Sequence, residues 1–223
     1  MIVVSILFFM YLITIGIFTL GYDKVNVFQF KNLEFKTTFT VVIPYRNEAA
    51  KLPELLESIS SLEYSKEFVE FVFIDDDSTD DSTKVLDTFS KEKAEINIIL
   101  LKNERISNSP KKDAISAALK IANNEWIITT DADCILPKNW LKTIDNFIQQ
   151  NECNMIVAPV TYTINKSFLH QFQLLDFLSL QVSTISGFGL GKPFLCNGAN
   201  LAYKKEIFEK VNGFENNNAI ASG

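Results

Sequence analysis

The sequence predicts an α/β fold: a doubly wound, mostly parallel sheet with helices on both faces, preceded by one N-terminal transmembrane helix. Three observations predict it. From Thr38 onward, short runs rich in Val, Ile and Phe alternate with segments of helical periodicity. Those runs are apolar on both faces, as strands covered by helices on each side must be. Ahead of them, Met1 to Gly21 reads MIVVSILFFMYLITIGIFTLG and carries no charged side chain. The chain therefore divides into an anchor over 1–21, a linker over 22–37 and the α/β domain over 38–223. With 223 residues, 47% hydrophobic and 22% charged, it has enough apolar surface for a core, so disorder is excluded as a general description.

The first segment is long enough to cross the roughly 30 Å of a bilayer's hydrocarbon core at 1.5 Å per residue. A cleaved secretory signal is the rival reading. It calls for a basic start and a shorter apolar stretch, and no Lys or Arg precedes Asp23. A retained, single-pass anchor is favoured. The charges that follow it, Asp23, Lys24, Lys31, Glu34 and Lys36, have a small basic excess, which places the domain beyond them in the cytoplasm. Phe28, Phe30, Phe35 and Phe39 in and after the linker either rest at the membrane interface or cover the first strand.

Strands are expected at Phe39 to Ile43, Val69 to Ile74, Ile96 to Leu101, Trp126 to Thr130 and Met155 to Val160. Between the first two, Leu52, Leu55, Leu56, Ile59 and Leu62 share one helical face, and Pro53 is tolerated because it falls in the first turn. Further helices are expected at 80–92, 112–123 and 138–150. Links this short require right-handed crossovers. Ligands of such sheets bind at the carboxyl ends of the strands. Those ends carry Pro44-Tyr45-Arg46-Asn47-Glu48, Asp75-Asp76-Asp77-Ser78 and Asp131-Ala132-Asp133.

A net charge of −6 and a pI near 4.9 leave no basic surface to displace counterions from nucleic acid, so that partner is excluded. Cys134, Cys153 and Cys196 are odd in number and scattered, which argues against a disulfide framework and fits a reducing compartment.

Asp131 and Asp133 follow the run WIITT. In an extended chain, residues two apart face one side. Two carboxylates that close repel each other unless a cation or hydrogen-bond donors intervene. A hard divalent ion such as Mg²⁺ or Mn²⁺ suits them, because it takes one or two carboxylates and fills its shell with water and phosphate. The bland alternative is a turn in which the aspartates accept from local amides. Asp75, Asp76, Asp77, Asp80 and Asp81 form a denser cluster. There, Ser78 or Thr79 is expected to cap the next helix, with Asp80 and Asp81 in its first turn complementing the dipole. A carboxylate at Asp75 or Asp76 could instead accept from the imide N–H of a uracil ring. Lys111 and Lys112 open another helix, where lysine opposes the dipole unless a phosphate lies nearby.

In this order, the pieces resemble the family 2 glycosyltransferases of the GT-A fold. TVVIPYRNEAAKLPELLESI is similar to the family's first strand, nucleotide loop and first helix. FVFIDDDSTDDS resembles its D-D-G-S-x-D segment, PKKDAISAAL its lysine helix and WIITTDADC its D-x-D strand. FLCNGANLAYKKEIFEKVNGFE resembles its acceptor-side stretch, a G-A-N segment and a helix ending in G-G-F. The resemblance implies a nucleotide-sugar donor, UDP-linked, a glycan or lipid-linked acceptor, a Mg²⁺ or Mn²⁺ cofactor, and inversion at the anomeric carbon. It implies that Pro44, Tyr45 and Glu48 border the nucleotide and that Asp76 contacts uracil. Lys111, or failing that Lys112, approaches the diphosphate. Asp131 sits near the ribose or the metal's water shell, and Asp133 ligates the metal. Gly198, Ala199 and Asn200 shape the donor-sugar and acceptor side.

Two departures accompany the resemblance. Asp77 stands where the family usually has glycine. The family's catalytic base is an acidic residue some way beyond G-G-F, whereas no acidic residue follows Glu215, so the base is expected beyond Gly223. Among rival classes, a sugar-nucleotidyltransferase calls for a Gly-rich loop that IPYRNEAA lacks. An aspartyl phosphatase would carry its D-x-D after the first strand. A membrane-tethered donor-binding protein without catalysis is the non-enzymatic alternative. In residues 167–190, Phe168, Phe172, Leu175, Leu178 and Val182 form a helical stripe whose first reading is core packing, with an interfacial helix as the alternative. Asp176 there is either exposed or near acceptor, His170 suits a hydrogen-bonded role, and Cys134 suits packing, since a hard ion does not favour thiolate.

Overall fold

The computed structural model describes residues 1–163 and 167–215. Its helices are α1 (Ile2–Asp23), α2 (Leu52–Ser60), α3 (Ser82–Glu92), α4 (Pro110–Ile121), α5 (Trp140–Gln150), α6 (Phe168–Gly189) and α7 (Lys205–Lys210). Its strands are β1 (Phe39–Tyr45), β2 (Val69–Asp75), β3 (Asn97–Lys102), β4 (Trp126–Thr129), β5 (Met155–Val157) and β6 (Leu201–Lys204). Packing divides the chain into two compact units, Phe30–Ala158 with Gly198–Gly223, and Met1–Gln29 with Pro159–Asn197.

The first unit holds the sheet, ordered β3-β2-β1-β4-β6-β5. β1 pairs in parallel with β2 and β4, and β2 with β3, while β6 runs antiparallel to both β4 and β5. The order reverses between β1 and β4, and the crevice there is where a doubly wound sheet leaves room for a ligand. Strand alternation explains why helices cover both faces. Val41, Ile43, Phe71, Phe73, Trp126 and Ile128 point to one side, where Leu52, Leu55, Leu56, Leu86, Leu141 and Ile144 of α2, α3 and α5 pack on them. Val42, Val72, Ile74 and Ile127 point to the other, against Ala114, Ile115, Ala118 and Leu119 of α4 and Phe208 of α7. α2 buries Leu52, Leu55, Leu56 and Ile59 at i, i+3, i+4 and i+7, and α4 buries Ile115, Ala118 and Leu119 at i, i+3 and i+4.

The expected strands and helices are present with shifted ends. The fifth strand stops at Val157 rather than Val160. β6 was not anticipated, because LAYK reads from sequence as the lead-in to a helix and takes its antiparallel place only through partners at Trp126–Thr129 and Met155–Val157. The expected cap of the third helix is corrected. That helix starts at Ser82 after Asp81, with no acid in its first turn and no side-chain cap, so Asp80 lies in the preceding loop. In the linker, Phe35 packs against the core and β1 absorbs Phe39.

Within the second unit, α1 is apolar and long enough to cross a membrane. Its Gly21 and Gly189 of α6 sit where the two backbones meet: a Cβ added at Gly21 would come within 2.6 Å of the Ser186 carbonyl oxygen. Phe18 stacks on Phe194 at 6.1 Å between centroids. His170 Nε2 lies 2.6 Å from the Thr163 carbonyl oxygen, the hydrogen-bonded role expected of it. The core-packing expectation for the α6 stripe is overturned: Phe168, Phe172, Leu175, Leu178 and Val182 are all exposed, because among the described residues no element covers them.

Candidate functional site

The carboxyl ends of β1, β2 and β4 and the start of α4 enclose a cavity of about 320 Å³, lined by Pro44, Tyr45, Arg46, Glu48, Asp76, Pro110, Lys111, Asp131, Ala132 and Asp133. The fold thus gathers Pro44, Tyr45, Glu48, Asp76, Lys111, Asp131 and Asp133 from three separate loops and one helix start. A larger cavity of about 640 Å³ between α2 and α3 includes no residue from these strand ends.

The loops after β1 and β2 are laced together. Asn47 N–H donates to Ser78 Oγ (3.1 Å), Glu48 N–H to Ser82 Oγ (2.8 Å) and Ala49 N–H to Asp80 Oδ2 (3.0 Å). Asn47 Oδ1 accepts from Thr79 N–H at 2.7 Å. Both loops turn through left-handed residues, Asn47 at φ 56° and Asp77 at φ 67°. Asn and Asp reach that region more easily than other side chains, so Asp77 can occupy a position where glycine is usual. Asp75 is held locally, accepting from Ser78 N–H at 2.8 Å and Thr83 Oγ1 at 3.1 Å. That leaves Asp76 as the acid of this loop that faces the cavity.

Asp76 is already engaged. Arg105 donates through Nε to Oδ1 and Nη2 to Oδ2, both at 2.8 Å, and Asn103 Nδ2 donates to Oδ1 at 2.8 Å. Partial burial by itself raises the Asp76 carboxyl, but the Arg105 and Asn103 donors outweigh it and hold it below the usual carboxylate range. A carboxylate has about four lone-pair sites, so three donors leave one for a ligand N–H. Arg105 and Asn103 were not identified from the sequence, and the cavity-lining Arg46 was placed at the end of the first strand but given no role. A bidentate arginine paired across 29 residues has no local signature.

Tyr45 presents little to the cavity by its ring, which is buried edge-on to Phe73 with its hydroxyl 3.3 Å from Thr83 Oγ1. Burial, and after it the charges of Asp75 and Asp80, push this phenol up against the lowering effect of the Thr83 bond.

Asp131-Ala132-Asp133 lies in a turn, closed by Cys134 N–H donating to Asp131 O at 3.2 Å, and not in an extended strand. The period-of-two argument therefore does not apply, yet the turn still delivers both carboxylates to the cavity. Lys111 makes an ion pair with Asp131. Lys112 is buried on the other side, its Nζ 5.7 Å from the Phe214 ring centroid, so Lys111 is the lysine that reaches the cavity. Among the described residues, none donates a hydrogen bond to the exposed Asp133 carboxylate. Burial, and then the negative charges of Asp133, Asp80 and Asp131, hold the Glu48 carboxyl above its ordinary range, with Lys51 opposing them. Asp76 and Asp131 are thus paired with Arg105 and Lys111, and Glu48 and Asp133 are the cavity's acids without an ion-pair partner among the described residues. Among the described residues no three His, Cys, Asp or Glu side chains group into a ready-made metal cage.

Gly198, Ala199 and Asn200 form a short 3₁₀ turn leading into β6. Thr129 Oγ1 donates to Gly198 O at 2.6 Å, and Trp140 Nε1 donates to Asn200 Oδ1 at 3.0 Å. They border the cavity without lining it, and a Cβ on Gly198 would sit 3.9 Å from Lys111 Nζ. Burial pushes the Cys134 thiol up, as a packing role requires. Residues 216–223, which carry no acidic side chain, lie outside the described residues.

Comparison with known proteins agrees with this geometry. The profile of "Glycosyl transferase family 2" matches residues 40–211. The poly(ribitol-phosphate) β-N-acetylglucosaminyltransferase TarS of Staphylococcus aureus is 29% identical over 122 residues, 55% of this chain and 21% of that protein. A poly(ribitol-phosphate) β-glucosyltransferase of Bacillus spizizenii is 31% identical over 126 residues, 54% of this chain and 19% of that protein. The chain spans only about a fifth of the length of these relatives. Among solved structures, a mannosyltransferase of Pyrobaculum calidifontis in complex with GDP-Man and Mn²⁺ superposes with a TM-score of 0.65 at 21% identity, covering 91% of this chain and 56% of that one. S. aureus TarS 1-349 in complex with UDP-GlcNAc gives 0.51 at 27% identity, covering 58% and 36%. A family profile spanning most of the chain, on a sheet of this topology, identifies this protein as a member of glycosyl transferase family 2.

Proposed function

We propose that this protein transfers a sugar from a nucleoside-diphosphate sugar, UDP-linked, to a glycan or lipid-linked acceptor with inversion, from a domain held at the cytoplasmic face of a membrane by α1. The observation that carries the reading is the cavity at the tips of β1, β2 and β4, where an acid at the base end, a lysine at a helix start and two acids on the D-x-D turn converge. The UDP-GlcNAc bound by the S. aureus relative supports a uridine donor.

In this reading Pro44, Tyr45 and Glu48 border the nucleotide. Asp76, pre-oriented by Arg105 and Asn103, accepts the uracil N–H at its remaining lone pair. Lys111 exchanges its Asp131 partner for the diphosphate, where its ammonium and the amino end of α4 act on the same charge. Gly198 keeps the space beside Lys111 open for the sugar, and Ala199 and Asn200 support that turn. The residues fit a Mg²⁺ or Mn²⁺ ion. Hard oxygen donors meet here, Glu48 is raised by burial and then by the acids around it, and among the described residues none donates to Asp133. Asp133 would hold the ion directly, with Asp131 in its water shell. When bound, such an ion neutralises charge on the departing nucleoside diphosphate. The attacking acceptor hydroxyl gives its proton to a carboxylate base that we assign to none of the described residues.

Calorimetry with UDP, with and without Mn²⁺, tests the donor site, and transfer from a panel of nucleotide sugars tests the activity. Asp133→Ala should abolish the Mn²⁺-dependent part of UDP binding, and Asp76→Ala should weaken UDP binding at any metal concentration. Equal UDP affinity in both variants and in chelator would refute the assignment, whereas donor binding without transfer would favour the non-catalytic donor-binding alternative.

A further inference from the structure

We propose that α6 is an interfacial helix, lying in the surface of a bilayer with Phe168, Phe172, Leu175, Leu178 and Val182 among the lipids, beside the span formed by α1. The inference rests on the reading of α1 as a membrane anchor. It concerns a surface that the donor cavity does not use.

The five side chains recur at i, i+4, i+7, i+10 and i+14, which is one face of a helix. On a water-soluble domain such a face turns inward. Here it is open: Phe168 is 88% exposed, Phe172 62% and Leu175 67%. An apolar patch of this extent marks a contact surface rather than a solvated one. The chemistry of the partner follows from three further facts. First, α6 contains one acid, Asp176, and no Lys or Arg, so neither an acidic peptide nor a nucleic acid finds complementary charge. Second, the helix belongs to the same compact unit as α1 and meets it backbone to backbone at Gly21, Ser186 and Gly189, with Phe18 stacked on Phe194. The medium that surrounds the carboxyl end of α1 therefore surrounds α6 where they touch. Third, Gln171, Gln173, Asp176 and Gln181 are spread along the helix. Crossing the hydrocarbon would bury Asp176 and the glutamines, which is costly. At the level of the headgroups, about 5–10 Å deep, Gln173, Asp176 and Gln181, which lie off the stripe, stay wet while the five apolar side chains enter the acyl boundary.

Without basic residues on the helix, apolar burial has to drive this insertion, and anionic lipid has nothing on α6 to attract. Insertion should then be insensitive to salt and to lipid charge, unlike that of a basic amphipathic helix.

The test uses the full chain, with Cys134, Cys153 and Cys196 replaced by Ala and one new cysteine at a time, Phe172→Cys, Leu175→Cys or Val182→Cys. Each carries an environment-sensitive nitrobenzoxadiazole label and is reconstituted into phosphatidylcholine vesicles. Phe9→Cys on α1 is the control. The α6 labels should be quenched more by lipids with a doxyl group near the headgroup than by lipids with one near the bilayer centre, and little by aqueous iodide. Adding phosphatidylglycerol or salt should leave the signal unchanged. Full quenching by iodide with none by doxyl lipid overturns the proposal. So does protection from both quenchers accompanied by oxidative disulfide cross-linking of two chains through the same α6 cysteines left unlabelled, which would identify the face as a contact with a second copy. Loss of doxyl quenching at the Phe9 label alone would fail the anchor reading separately. Should the substitutions disturb the helix, a photoactivatable phosphatidylcholine added to the unsubstituted chain gives the same decision, since cross-links mapped to 168–182 support the inference and their absence there refutes it.

Discussion

Asp145 on α5 holds the segment that enters β1, and replacing it should destabilise the sheet unit without touching the cavity at the strand ends. Its carboxylate is buried and accepts from Thr37 N–H at 3.1 Å, Thr37 Oγ1 at 2.6 Å and Lys36 N–H at 3.2 Å. Tyr64, packed 4.5 Å from the Phe35 ring, donates to Thr37 O at 2.6 Å and closes the network. Burial first, and Asp145 after it, push the Tyr64 phenol up. In Asp145→Ala, Thr37 N–H is orphaned inside the protein, which costs about 1–3 kcal/mol. Lys36 is exposed, so its N–H recovers water and adds little. Including the lost hydroxyl partner, a loss of about 2–4 kcal/mol is expected, a large share of the roughly 5–15 kcal/mol that stabilises a domain. Asp145→Asn keeps one acceptor oxygen but turns an NH₂ toward donors, so it should fall between wild type and alanine. Urea unfolding in detergent, followed by the fluorescence of Trp126 and Trp140, reads the change. A midpoint for Asp145→Ala that matches wild type would refute the claim that this carboxylate pins the start of β1.

The other expectations concern the cavity and the helix crossing. Because the folded protein holds Glu48 above its ordinary range, its ionised form is disfavoured by folding, and the associated stability is present at low pH and lost as pH rises through the raised value. Glu48→Gln should therefore raise the melting temperature at neutral pH, with the gain vanishing in acid below about pH 4 and shrinking when Mn²⁺ is added. Asp76 runs the other way: its depressed value contributes stability above the ordinary carboxylate range that is lost as pH falls through it. Arg105→Ala should erase that acid-sensitive component in pH-dependent melting. It should also weaken UDP binding by about tenfold in calorimetry, through loss of the orienting bonds to Asp76. Gly189→Leu should separate α1 from α6, because the Gly21 backbone occupies the space a side chain needs, and disulfide trapping between cysteines placed at Phe18 and Phe194 should fail in that variant.

Much of the fold was legible because it depends on local periodicity. The runs in β1, β2 and β4 are apolar on both faces, and Leu52, Leu55, Leu56 and Ile59 sit at helical spacing, so strand–helix alternation could be read without coordinates. The position of Asp76 and Asp133 at strand ends followed from the same reading, since chain order alone places them after β2 and β4. Contacts across long separations could not be read. The antiparallel β6, the Arg105–Asp76 clamp and the Lys111–Asp131 pair join residues whose spacing in the chain carries no signal. Helical periodicity likewise marks an apolar stripe on α6 but not what covers it, for a core and a bilayer select the same residues. Sequence determined which groups are present and which elements carry them. Tertiary structure decided which of those groups meet, because hydrogen bonds and ion pairs act over a few ångströms of space, however many residues lie between.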